Sequence, residues 1–190
     1  MRLVMAKEEH YRWLMLAIAS GNCRKWNDWR IDHAGVLPSL IAIDLGAISL
    51  PYINLSRTDL RYGNFSRTNL YRANLQKANL SGANLSSANL RKADLSGSLL
   101  RYANMTNADL QGANLMEADL TEARLAGANL AGAYLRNVKL GTGSIDAEVQ
   151  SGTGVSLFER ASLHLLKPGI RGKFRRPDDP GVPAGSDKRS

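Results

Sequence analysis

From residue 41 to residue 145 a large apolar residue stands at every fifth position, through twenty-one consecutive pentapeptides with no insertion. Leu45, Leu50, Leu55, Leu60, Phe65, Leu70, Leu75 and Leu80 open the series, and Met105, Leu110, Leu115, Leu120, Leu140 and Ile145 carry it on. Two residues before most of these centres sits a small one, from Thr58 and Gly63 through Ala73, Ala78 and Ala83 to Ala128 and Ala133. A period of five fits neither the 3.6 of a helix nor the 2 of a strand. On a helix the leucines would scatter around the axis and form no apolar face. A short fixed period over about a hundred residues instead predicts a solenoid, in which each block is one side of a coil. The centre and the small residue two before it then point inward, and the other three positions face water.

Blocks such as Tyr-Arg-Ala-Asn-Leu (71–75), Gln-Lys-Ala-Asn-Leu (76–80) and Met-Glu-Ala-Asp-Leu (116–120) resemble the pentapeptide-repeat family. The resemblance covers the 41–145 stretch of the 190 residues. It implies a mainly β fold, a right-handed quadrilateral β-helix with four blocks to a coil, hence five coils and one further block. The Asn series at 54, 64, 69, 74, 79, 84 and 89 is expected to support the corners through bonds to local backbone groups. Ile43, Ile48 and Ile53 occupy the small site in the first three blocks. Their bulk predicts a wider or irregular first coil, meshed with whatever precedes it. Pro51 suits a corner, where no ladder donor is needed.

Both ends of such a shaft expose apolar centres and open edges, so both are expected to be covered. Residues 1–40 are read as an N-terminal helical cap. Tyr11, Leu14, Met15 and Ile18 predict one helix over residues 6–20, stopped by Gly21. Cys23, Trp26 and Trp29 predict a second over Asn22–Ile31, with Asn22 as its N-cap. The Trp-Asn-Asp-Trp-Arg run (26–30) resembles a segment that precedes the repeats in bacterial members of the family. Residues 146–167 are read as a linker and a C-terminal helix (Val155–Leu166), either covering the last coil or making a homodimer contact. Residues 168–190, with four prolines and the Arg171–Arg176 cluster, are read as a disordered basic tail.

The formal net charge is +8, with +11 and −7 on residues 41–145. Stacking four blocks per coil sets every twentieth residue in one column. One face collects Tyr52, Tyr71, Arg72, Arg91 and Lys92. A second face carries Arg61 and Tyr62, then Arg101 and Tyr102 two coils on. Leu99 stands where Asn or Asp is usual and is expected to be exposed. Interleaved aromatic and basic side chains suit a protein partner, and nucleic acid as an alternative. Asp109, Glu117, Asp119 and Glu122 make a later coil acidic. Some members of the resembled family protect DNA gyrase from toxins and quinolones through an acidic, duplex-like rod. The positive balance of this shaft argues against that topoisomerase-protecting alternative.

No catalytic constellation is evident. His10, His33 and His164 lie in separate segments without metal-ligand spacing. Asp178 and Asp179 have no pocket to tune them. Cys23 is the single cysteine, which excludes an internal disulfide and fits a reducing cytoplasm. Trp13–Ala19 is short for a signal sequence, and no apolar run reaches membrane-spanning length. The reading is a cytoplasmic, non-catalytic interaction scaffold with no cofactor and no metal.

Overall fold

The computed structural model describes residues 2–140, and side chains from residue 8 onward. Position by position, the pentapeptide behaves as its chemistry dictates. The fifth residue is buried, as at Leu60, Leu80 and Leu100, each 0 % exposed. The third is buried too, as at Ala78, Ala83 and Ala88. The fourth forms a parallel bridge to the residue twenty positions on, as in Asp59↔Asn79, Asn79↔Leu99 and Leu99↔Asp119. A constant step of twenty means four blocks per coil. Four such columns surround the core, headed by Ser39, Asp44, Ser49 and Asn54. Each coil lies about 4.8 Å above the last, the spacing of hydrogen-bonded strands.

The ladder is carried by paired backbone bonds around each bridge, for example Leu60 N–H to Asn79 O at 2.8 Å and Asn79 N–H to Thr58 O at 2.9 Å. Most sides contribute only one bridged residue, because the chain turns again two residues later. Among the described residues only β1 (Asp119–Leu120) and β2 (Lys139–Leu140) extend to two residues, paired in parallel. Each corner is closed by the third residue donating to the preceding centre, as Ala73 N–H does to Leu70 O at 3.0 Å. The second residue of the block is left-handed, from Ala42 at φ 56° to Asn137 at φ 59°. A left-handed residue under such a bond is the signature of a type II turn.

Large and small are matched inside the shaft. Phe65 is the one aromatic centre in the described shaft, and the small site of its own block is Gly63. A Cβ at Gly63 would stand 2.6 Å from Phe65 Cε2, so the ring takes the volume that alanine fills elsewhere. Thr68 and Ser98 also fill small sites, and each hydroxyl is satisfied, by Leu45 O at 2.6 Å and Leu95 O at 2.7 Å. Hydroxyls there bury no unpaired donor.

Two helices precede the shaft. α1 spans Arg2–Ala19 and α2 spans Arg24–Asp32. α1 starts earlier than its apolar pattern predicts, and among its described side chains His10, Leu14 and Ala17 are buried. Tyr11, expected on that face, is 51 % exposed. α2 starts two residues later than expected, with Cys23 and not Asn22 at the N-cap position. Asn22 still serves the helix start, since its Oδ1 accepts Arg24 N–H at 3.0 Å. Cys23, Trp26 and Trp29 do share the buried face.

α2 is stitched to the first coil by side chains reaching backbone. Trp26 Nε1 donates to Asn54 O at 2.7 Å, Asn27 Nδ2 to Tyr52 O at 3.0 Å, and Arg30 Nη2 to Ser56 O at 3.0 Å. Asn27 Oδ1 in turn accepts Asn54 N–H at 2.8 Å. The first coil is not irregular, contrary to expectation. Its bridges keep the twenty-residue register, and Ala42, Ala47 and Tyr52 keep the left-handed turn. Its isoleucines form the terminal layer of the core, where no further coil lies beneath and larger side chains have room toward the helices. Ile145, the C-terminal helix, the linker and the tail lie outside the described residues.

Candidate interaction corners

What the shaft can offer a partner is set at its corners. The fourth residue of a block is nearly always Asn or Asp, residue types that strands otherwise avoid. Here the side chain turns back to the corner, as Asn74 Oδ1 does to Gln76 N–H at 3.1 Å and Asn84 Oδ1 to Ser86 N–H at 3.1 Å. Neighbouring coils add side-chain ladders, such as Asn89 Nδ2 to Asn69 Oδ1 at 3.1 Å. The expected structural use of the Asn series is therefore observed. Leu99, Arg124 and Tyr134 break this rule and leave their corners without the side-chain acceptor. Pro51 breaks it in the complementary way: preceded by Ser49, it has no N–H to cap.

The ten residues singled out from the sequence divide between two corners that alternate around the coil and face opposite ways. At the turn following Leu50, Leu70 and Leu90 stand Tyr52, Tyr71, Arg72, Arg91 and Lys92. Tyr52 and Tyr71 meet edge to face with ring centroids 5.7 Å apart, and the Arg72 guanidinium lies 5.5 Å from the Tyr71 centroid. Arg91 pairs with Asp109 at 3.3 Å. Arg72 and Lys92 make no ion pair with any described residue. This corner is aromatic and cationic.

At the turn following Leu60, Leu80 and Leu100 stand Arg61, Tyr62, Arg101 and Tyr102, with Leu99 on the adjoining side. Here the cations are spent internally. Arg61 clasps Asp59 through Nε at 2.9 Å and Nη2 at 2.8 Å, which holds its guanidinium all the more firmly protonated. Arg101 stands 4.0 Å from Asp119. Burial works to raise the Asp119 carboxyl, yet its bonds from Thr121, together with Arg101 and Lys139, hold it below the ordinary carboxylate value. Tyr62, Tyr102 and Leu99 remain 69 %, 64 % and 41 % exposed. This corner is aromatic and close to neutral.

Tyr52, Tyr62, Arg72, Lys92 and Tyr102 all occupy the left-handed turn position, with φ between 54° and 61°. That backbone state thrusts them outward, and it was not read from the sequence. Its signal was present: Gly82, Gly97, Gly112, Gly127 and Gly132 recur at the same place in the block.

His10, His33 and Cys23 take structural places, and His164 lies outside the described residues. His10 Nδ1 accepts Ser39 N–H at 3.3 Å, and burial lowers its affinity for a proton, with Arg30 adding to that and Glu9 opposing it. His33 stacks on Trp29 with centroids 4.9 Å apart and its Nδ1 lies 3.0 Å from Trp29 O. Burial pushes the Cys23 thiol up to about 11, which makes it a poor nucleophile near neutrality. Among the described residues no cluster of His, Cys, Asp and Glu could hold a metal ion. No described helix is long and apolar enough to cross a membrane.

The family model for pentapeptide repeats matches residues 39–76, 78–115 and 113–141, with eight copies. The chain belongs to the pentapeptide-repeat family, and its coil is the right-handed β-helix of that family. Among solved structures it is similar to the pentapeptide repeat protein Rfr23 from the cyanobacterium Cyanothece 51142, at 29 % identity and TM-score 0.55, covering 65 % of this chain and 92 % of that one. A pentapeptide repeat protein of the Arabidopsis thaliana thylakoid lumen matches at 30 % identity and TM-score 0.45, covering 67 % and 89 %. QnrB1, a plasmid-mediated fluoroquinolone resistance protein, matches at 16 % identity and TM-score 0.30, covering 54 % and 74 %, and carries no functional argument. No match is found among curated proteins.

Proposed function

We propose that this chain is a non-catalytic, cytoplasmic interaction scaffold that holds an acidic segment of a protein partner along the Tyr52–Lys92 corner. The observation that carries the reading is the assembly of Tyr52, Tyr71 and Arg72 into one stacked unit beside Lys92, with Arg72 and Lys92 unspent on any described carboxylate. Aromatic rings and an arginine on a support that does not move are the usual anchors of a protein interface. Carboxylates spaced along an extended segment would meet cations one coil apart, about 4.8 Å. α1 and α2 serve as the lid of the N-terminal end. The shaft is the working part.

The test compares proteins captured from source-cell lysate by the wild type and by a chain carrying Arg72→Ala and Lys92→Ala. The expected result is loss of a defined set of acidic partners, with the unfolding midpoint unchanged. Identical partner sets would remove this corner from consideration. Capture of duplex DNA instead, weakening steeply with salt, would favour a nucleic-acid role.

A further inference from the structure

The rim at the N-terminal end of the shaft is closed on only part of its circuit. In the coils above it, the fourth residue of a block turns both backbone groups down onto the preceding coil. Asn79 does so, with its N–H to Thr58 O at 2.9 Å and its O accepting Leu60 N–H at 2.8 Å. On the side of Asp59 the chain itself supplies these partners, Pro38 O and Leu40 N–H, each at 2.8 Å. On the side of Asn54 they come from α2. Asn27 Oδ1 accepts Asn54 N–H at 2.8 Å, and Trp26 Nε1 donates to Asn54 O at 2.7 Å. Helix side chains there take the place of a strand's backbone.

Asp44 and Ser49 have no such substitute. Both are bridged to the coil above, to Asn64 and Asn69. Their downward N–H and C=O groups meet no partner among the described residues. Both residues are exposed, whereas Asn54 and Asp59, which are covered from below, are half-buried. Ile48 lies between them and is half-buried, while every other third-position residue from 43 to 138 is buried. The run Asp44–Ser49 holds neither the lysine nor the proline that commonly shields a free strand edge.

We propose that this open rim receives an extended segment of a partner protein, added as one more strand beneath the first coil. The segment pairs with the N–H and C=O of Ser49 and lays an apolar side chain against Ile48. Main-chain bonds supply the affinity and the side chain on Ile48 the selectivity, as in other cases of strand addition. The occupant is a single strand and not a second copy of this chain. Strand pairing requires an approach of about 4.8 Å. A helix is about 10 Å across, and α2 is bound to the same rim, so it holds a second shaft beyond that distance. A lone segment fits beside it. This rim is separate from the cations of the Tyr52–Lys92 corner, and the two surfaces are tested apart.

The experiment follows the backbone amides of the isotope-labelled full chain by NMR while a blocked hexapeptide of alternating valine and threonine is titrated in. Before peptide is added, the Asp44 and Ser49 amides are expected to exchange with solvent faster than those of Asn64 and Asn69, one coil up. The peptide is expected to shift and protect the Ser49 amide. Ser49→Pro removes that donor without breaking a ladder bond, and costs only the exposed bond from Asn69 Nδ2 to Ser49 Oγ. It is expected to weaken binding about fivefold or more, the worth of one hydrogen bond. The same hexapeptide with every amide N-methylated is expected not to bind the wild type, a comparison that needs no variant to fold. Several results would each overturn the proposal: Ser49 as protected as Asn69 in the free chain, no binding, binding indifferent to N-methylation, or unchanged binding by folded Ser49→Pro. The same shifts on concentrating the chain without peptide would overturn it too, by making the occupant a second copy. Arg72→Ala and Lys92→Ala leave this binding unchanged, so its fate is separate from that of the other corner.

Discussion

A left-handed backbone normally costs an L-residue about 1–2 kcal/mol, and is left to glycine or asparagine. In this shaft Arg, Lys, Tyr, Ser, Ala and Glu accept it, turn after turn. The ladder bonds on either side of each corner and the Asn or Asp bond onto it over-determine the conformation. Leu99 shows what happens without that side chain: Leu99 N–H and O keep their ladder bonds to Ala78 and Leu80, but Arg101 N–H lacks the carboxamide acceptor its counterparts have. Leu99→Asn is expected to raise stability by about 1 kcal/mol, the worth of one local hydrogen bond. In thermal unfolding this is a rise of a few degrees. A midpoint that stays or falls would show that the corner is satisfied by other means.

At the scale of elements, α1 is held to the shaft through a histidine that must stay neutral. Ser39 N–H donates to His10 Nδ1, and a proton there would set two donors face to face. The folded-state affinity of His10 for a proton is below its ordinary value of 6.5, burial being the main cause. Above that pH both folded and unfolded chains carry a neutral ring, and the native state is undisturbed. As pH falls below about 6.5 the unfolded chain takes up a proton that the folded one refuses, so stability declines. Asp119 has the opposite chemistry but the same direction in acid. Its carboxylate is favoured by the fold, so its contribution is lost only below the ordinary carboxylate value of 3.8. The two windows are separate. Urea midpoints followed by tryptophan fluorescence are expected to fall between pH 7.5 and 5.5 in the wild type, and to fall less in His10→Gln, which can still accept from Ser39. An equal fall in both would place the effect elsewhere.

For the whole molecule, stacking is a sum of coil-on-coil terms, each nearly self-contained. Deleting residues 79–98, one full coil, should leave every inward residue inward and every column in register. Circular dichroism and a single cooperative transition at a lower midpoint are the expected signs. Deleting residues 79–81 moves the five-residue phase and turns leucines outward, and that chain is expected not to fold. If both deletions behave alike, the register is not set by the pentapeptide.

The period of five by itself called for a solenoid, because only a coil of equivalent sides can bury a large residue at every fifth place, and the resemblance of its blocks to pentapeptide repeats supplied four sides to the coil. It also marked the inward positions, the role of the asparagines and the exposure of Leu99. Helix limits were read less well. Tyr11 follows the apolar pattern but points to water, while His10 is buried because Ser39 N–H and the Trp29 ring meet it there. The regular first coil was hidden for a similar reason: the bulk of Ile43, Ile48 and Ile53 matters only if another coil lies beneath. Tertiary structure alone decided which cations are free. Arg61 and Arg72 look alike in the chain, but the residue two before Arg61 is Asp59 and clasps it, whereas Arg72 lies over Tyr71. A charge seen in sequence becomes a binding surface only after its neighbours in space have declined it.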